Sequence, residues 1–219
     1  MKQAFCSWSG GKDSVLAYYL ATRSGLNISC LLNVVEDDGE YSCTHGLPVT
    51  LLQAQAQLVG VPMVHLKTNG IKYEEDLRAL LRSFKQKGFE VGVFGNGDIK
   101  PQWIGGVCRE EGLDPRFPLH SIDKEKVLRN LVVLGFETIV VAARADLLGP
   151  EWLGRRVDED FIKAWGEMKR KNGIGPADES GLYHTLVIDG PIFKRKLEII
   201  ESKSVLRHGY WFLDIQKVA

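Results

Sequence analysis

Residues 9–14 read Ser-Gly-Gly-Lys-Asp-Ser and directly follow the apolar run Ala4-Phe5-Cys6-Ser7-Trp8. These residue types, in this order, are the parts of an anion cradle. Gly10 and Gly11 carry no side chains, so a phosphate can approach the backbone closely and the turn can take positive φ. Asp13 or Ser14 is expected to cap a helix over residues 15–20. The unpaired N–H groups and the macrodipole at that helix start favour an anion, and Lys12 adds a positive charge there. Four further stretches hold polar groups suited to catalysis or binding: Thr44-His45-Gly46, Gly95-Asn96-Gly97-Asp98-Ile99, Trp152-Leu153-Gly154-Arg155 and Glu179-Ser180-Gly181-Leu182-Tyr183-His184-Thr185.

Positioning such groups requires a scaffold that alternates strand and helix. The spacing predicts strands over residues 27–35, 62–66 and 91–94 after the first one. Helices are predicted from Pro48 to a stop at Gly60, and over 73–87, where Leu77, Leu80, Leu81 and Phe84 form a stripe. This alternation implies a doubly wound parallel sheet with helices on both faces. Ligands of such sheets bind beyond the carboxyl ends of the strands, where the glycine turn falls. After Gly97 the texture changes. Helices are predicted over 103–112, 123–135 and 158–171, strands over 138–143 and 183–188, and two paired strands over 197–204 and 210–215. A boundary near residue 97 follows, with one domain at 1–97 and a smaller α+β lobe at 98–219.

The chain has 219 residues, 28 basic and 28 acidic, for a formal net charge of zero. That balance gives no electrostatic pull toward nucleic acid or an anionic membrane. No apolar run is long enough to cross a bilayer and no signal peptide is read at the start. Cys6, Cys30, Cys43 and Cys108 form no C-x-x-C pair, so they are read as reduced, non-ligating thiols of a cytoplasmic protein.

The 9–14 motif is not a Walker A loop, since Cys6 stands where that pattern needs its first glycine and Asp13 follows the lysine. It resembles instead the SGGxDS PP-loop of the ATP pyrophosphatases. With His45-Gly46 before a helix, Gly97-Asp98-Ile99, Trp152-Leu153-Gly154-Arg155, and Glu179 to Thr185 leading to Asp189-Gly190-Pro191, the whole chain resembles the diphthine–ammonia ligase family. The resemblance implies a carboxylate attacking the α-phosphate of ATP, release of pyrophosphate, and ammonia displacing AMP from the acyl-adenylate. In the eponymous enzymes the carboxylate is diphthine on elongation factor two.

Carried over by residue, the resemblance assigns ATP to Ser9, Gly10, Gly11, Lys12, Asp13, Ser14 and His45. The acceptor falls to Asp98, Glu179, Tyr183, His184 and Thr185, with Lys12, Asp98, Glu179 and His184 catalytic. Magnesium is expected on the phosphates, with no dedicated protein metal site. A homodimer is left open. The chain departs from the family pattern at Asp178, which replaces a glycine, and at Leu182, which replaces a glutamate and is expected to make the acceptor pocket more apolar. The stretch between Asp98 and Cys108 is also shortened and lacks the usual arginine. Two other classes compete: a PP-loop tRNA-modifying enzyme of thiolase type, which calls for a basic surface and paired catalytic cysteines, and a non-catalytic nucleotide-binding protein.

Overall fold

The computed structural model describes residues 1–43, 45–95, 101–175 and 181–219. They form two compact units: Met1–Ser9 with Asp13–Ser121, and Gly10–Lys12 with Ile122–Ala219.

The first unit is an α/β layer structure. Strands β1 (Gln3–Ser7), β2 (Asn27–Val35), β3 (Met63–Lys67), β4 (Val91–Val93) and β5 (Asp114–Arg116) make one sheet in the order β3-β2-β1-β4-β5. All its pairings are parallel. Helices α1 (Lys12–Arg23), α2 (Val49–Val59), α3 (Tyr73–Gln86) and α4 (Pro101–Glu110) connect them. Successive residues of a strand face opposite sides, and both sides are used. Phe5, Cys30 and Leu32 pack with Leu77, Leu81 and Phe84 of α3 and Ile104, Val107 and Cys108 of α4. Trp8 meets α1 edge-to-face through Tyr18 and α2 through a hydrogen bond to Gln55. Burial on both faces explains why β2 lacks a strict alternation of polar and apolar residues.

The expected boundary at residue 97 falls inside this unit, because β5 pairs with β4 and completes the sheet. The compact units divide at Ser121 and Ile122 instead. β5 has no sequence signature: Asp114-Pro115-Arg116 is three residues long, with no apolar side chain beyond the proline ring, and holds its place as an edge strand.

In the second unit β6 (Glu137–Arg144), β7 (Tyr183–Asp189), β8 (Ile199–Arg207) and β9 (Tyr210–Val218) form an antiparallel sheet in the order β7-β6-β9-β8. Helices α5 (Lys124–Val133) and α6 (Glu159–Lys171) contribute Leu128, Phe161, Ile162 and Trp165 to a core with Val140, Ala143, Leu182 and Tyr183. Both helices begin at an aspartate cap. Asp123 Oδ1 accepts from Glu125 N–H at 2.8 Å, and Asp158 Oδ1 accepts from Phe161 N–H at 2.8 Å, satisfying donors that a helix start leaves open. β8 and β9 turn through His208 and Gly209, both at positive φ, which suits a two-residue hairpin.

Candidate active site

In the order β3-β2-β1-β4-β5 the chain reverses its direction of progress across the sheet between β1 and β4. That reversal is the topological switch point, where a crevice opens at the carboxyl ends. Residues 9–14 leave β1 and Gly95 follows β4, so the glycine turn flanks the crevice.

A buried polar network pins the residue before the turn. Trp8 is 1% exposed. Its indole N–H donates to Gln55 Oε1 at 2.8 Å, its carbonyl accepts from Asn33 Nδ2 at 2.7 Å, and its N–H donates to the Leu32 carbonyl at 2.7 Å. Asn33 Nδ2 also donates to Ser42 Oγ at 3.2 Å. Gln55 is fully buried on the apolar face of α2, among Leu51, Leu52 and Leu58. Sequence reasoning passed over Gln55, although a glutamine on an apolar helical stripe is the signal that would have found it, since such a group is buried only with a partner.

After Trp8 the loop closes on itself. Ser9 N–H donates to Ser14 Oγ at 3.3 Å, and the two hydroxyls lie 3.3 Å apart. Gly10 has φ 78, a left-handed conformation that favours glycine. Helix α1 begins at Lys12, so Asp13 and Ser14 sit inside its first turn and do not occupy the capping position expected of them. Their carboxylate and hydroxyl are thereby held in the first turn, where a negative charge or an acceptor meets the positive helix end. Gly95 approaches this turn so closely that a Cβ there would lie 2.8 Å from the carbonyl carbon and oxygen of Asp13. His45 lies half-buried in a turn of the segment after β2. That segment is tied down where Ser42 N–H donates to the Leu47 carbonyl and Gly46 N–H to the Ser42 carbonyl.

Gly10–Lys12 cluster with the second unit, and β7 makes the contacts. Lys12 N–H donates to Thr185 Oγ1 at 3.1 Å, and Val187 N–H donates to the Gly10 carbonyl at 3.0 Å. Lys12 Nζ stands 5.3 Å from the centre of the Tyr183 ring, within cation–π range. The Lys12 amide is therefore committed to Thr185 rather than to a bound anion. His184, half-buried on the other face of β7, lies 6.2 Å from the Tyr210 ring, whose hydroxyl donates to the Gly181 carbonyl at 2.7 Å.

Leu182 does not line a pocket. It is 1% exposed and packs in the core with Phe161, Trp165 and Tyr183, so the departure from glutamate is a core substitution and the expected apolar acceptor pocket is withdrawn. Arg155 lies over the Trp152 ring at 4.5 Å and the Phe161 ring at 5.7 Å, a packing role. In Asp189-Gly190-Pro191 the Asp189 carboxylate accepts from Gly190 N–H at 2.8 Å, which closes the turn after β7. Asp98 and Glu179, with Thr44, Asp178 and Ser180, lie outside the described residues.

All four cysteines are free, and burial pushes each thiol above its ordinary range, Cys108 to about 12. For Cys43 the negative charge of Glu36 adds to the effect. None has the lowered pKa of a nucleophilic thiolate. Among the described residues no group of three or more His, Cys, Asp or Glu could hold a metal ion, and no helix is long and apolar enough to cross a membrane.

A model of the diphthamide synthase N-terminal domain matches residues 1–115, and one of the diphthamide synthase C-terminal domain matches residues 123–219. The chain belongs to the diphthamide synthase family. The two matched domains correspond closely to the two compact units. Among relatives, the diphthine–ammonia ligase of Rattus norvegicus is 26% identical over 94% of this chain and 86% of its own length. That of Homo sapiens is 25% identical over 92% of this chain and 84% of its own. A solved structure titled as a predicted subunit of tRNA methyltransferase from Methanocaldococcus jannaschii superposes with a TM-score of 0.49 at 13% identity, covering 90% of this chain and all of that one.

Proposed function

We propose that this member of the diphthamide synthase family cleaves ATP between its α- and β-phosphates, transfers AMP to a carboxylate and lets ammonia displace AMP to leave an amide. The observation that carries the reading is the strand–glycine–helix turn of residues 9–14 at the switch point of a parallel sheet, in a chain that matches both domains of the family. The relatives are diphthine–ammonia ligases, which makes diphthine the first acceptor to test.

In this reading the left-handed Gly10 turn and the start of α1 receive the phosphates. Lys12 holds the negative charge that builds on the departing pyrophosphate, with its ammonium steadied over the Tyr183 ring. Ser9 and Ser14 shape the turn through their mutual contact. His184 is suited to take the proton that ammonia gives up, and Glu179 keeps the acceptor role that the resemblance gives it. Magnesium would ride on the phosphates, and Asp13 in the first turn of α1 is a carboxylate that would hold it. Where bound, it would neutralise phosphate charge. The ATP-binding role goes to the first unit together with Gly10–Lys12, and the acceptor role to the second. The four free, unactivated thiols support a cytoplasmic setting and give no support to thiolase chemistry.

The direct test is Lys12→Ala. An interaction made chiefly in the transition state is lost from turnover, so AMP formation should fall by roughly 10²-fold. Wild-type AMP release by Lys12→Ala would refute the assignment.

A further inference from the structure

Tyr183 and Thr185 belong to the stretch that the family resemblance assigns to the acceptor. Their surroundings point elsewhere. Thr185 is 1% exposed and Tyr183 is 8% exposed, so neither can present a side chain to a substrate of any size. They share one face of β7 through the two-residue period of a strand, and that face meets Gly10–Lys12. Thr185 Oγ1 accepts the Lys12 N–H, the Tyr183 ring lies under the Lys12 ammonium, and the main-chain N–H of Val187 holds the Gly10 carbonyl. Phe161 and Trp165 fix the Tyr183 ring at centroid distances of 5.6 and 4.7 Å. Three successive odd positions of one strand thus grip two residues of the glycine turn, from both ends and from main chain and side chain alike.

We infer that Thr185 and Tyr183 are positioning residues of the ATP loop, which set the Lys12 backbone and ammonium for the phosphates, and that they take no part in binding the acceptor. The inference rests on the ATP reading above. A partly buried donor that loses its partner is costly, so removing the Thr185 hydroxyl should drive the first turn of α1 away from the geometry that receives phosphate. A serine at 185 keeps the oxygen and should keep the geometry.

The experiment compares Thr185→Val and Thr185→Ser in the full chain. Affinity for an α,β-methylene ATP analogue is measured by calorimetry, and KM values for ATP and for the acceptor come from AMP release. Expected is a loss of analogue affinity of roughly tenfold or more in Thr185→Val, with a matching rise in KM for ATP and an unchanged KM for the acceptor. Thr185→Ser should stay within about threefold of wild type. Wild-type analogue affinity in Thr185→Val, with the acceptor KM raised, would overturn the inference and return Thr185 to the acceptor. A wild-type protein that binds no analogue would overturn the ATP reading and this inference with it, a failure visible before any variant is made. If Thr185→Val does not fold, amide hydrogen exchange of wild-type Lys12 decides. Slow exchange supports the hydrogen bond to Thr185, and exchange at the rate of an exposed loop amide overturns it.

Discussion

Replacing Gly95 by alanine should damage both the stability of the first unit and its hold on ATP. The added Cβ would lie 2.8 Å from the carbonyl carbon and oxygen of Asp13 and 3.0 Å from the nitrogen of Ser14. Comfortable contacts between such atoms are about 3.5–4.0 Å, so the overlap is of the order of half an ångström or more against three atoms at once. All three are backbone atoms of the first turn of α1, so no side-chain rotamer relieves the clash. Overpacking of this kind costs typically about 1–3 kcal/mol. For a chain of this length each kcal/mol lowers the melting temperature by roughly 2–4 °C, so a fall of about 2–12 °C is expected. The same displacement moves the turn proposed to receive the phosphates. If about 1.4 kcal/mol of the strain appears in the bound state, ATP affinity falls about tenfold. Thermal denaturation with and without ATP, together with a calorimetric ATP titration, reads both effects. A Gly95→Ala protein with wild-type melting and wild-type ATP affinity would show that the close approach does not shape the turn.

His184→Ala should bind ATP almost normally while losing acceptor-dependent AMP release by roughly 10²-fold, as measured by paired titration and turnover; full retained turnover would remove His184 from the chemistry. Gln55→Leu leaves the buried Trp8 indole N–H without its 2.8 Å acceptor and should destabilise the chain by about 1–3 kcal/mol in urea denaturation. Glu137 is bonded by Lys196 at 2.6 Å and by Arg156, and the Lys196 bond, helped by the charges of Lys196 and Arg156, holds its carboxyl below the usual 4.5. A carboxyl depressed in the folded state stabilises above its unfolded pKa and loses that contribution as pH falls through the folded value. The stability gap between wild type and Glu137→Gln, about 1 kcal/mol or less at neutral pH for so exposed a group, should therefore shrink below pH 4.5, and a gap independent of pH would contradict the pairing.

Much of this fold could be read from the chain because its elements carry strong local signals. β2 occupies residues 27–35 as its apolar run predicts, α2 runs from Pro48 to a left-handed Gly60, and Asp158 caps α6. What could not be read depends on contacts distant in sequence. β5 has no apolar pattern and exists through its pairing with β4. Leu182, read as a pocket residue from its neighbours in the motif, is placed in the core by Phe161, Trp165 and Tyr183. The position of the glycine turn is legible from residues 9–14, but the closeness of Gly95 and the grip of Thr185 on Lys12, 173 positions away, are products of packing. A local motif marks the groups suited to meet a phosphate. It does not say which amides in that motif are already committed to the protein.

How ATP is broken tests the proposed chemistry most directly. Purified protein is incubated with ATP labelled in the α-phosphate, ammonia and a diphthine-bearing acceptor whose carboxylate carries oxygen-18, and the nucleotide products are separated and weighed. AMP and pyrophosphate are expected only with the acceptor present, with one oxygen-18 carried into each AMP, as required when the carboxylate attacks the α-phosphate. ADP and phosphate, or AMP free of the label, would contradict it.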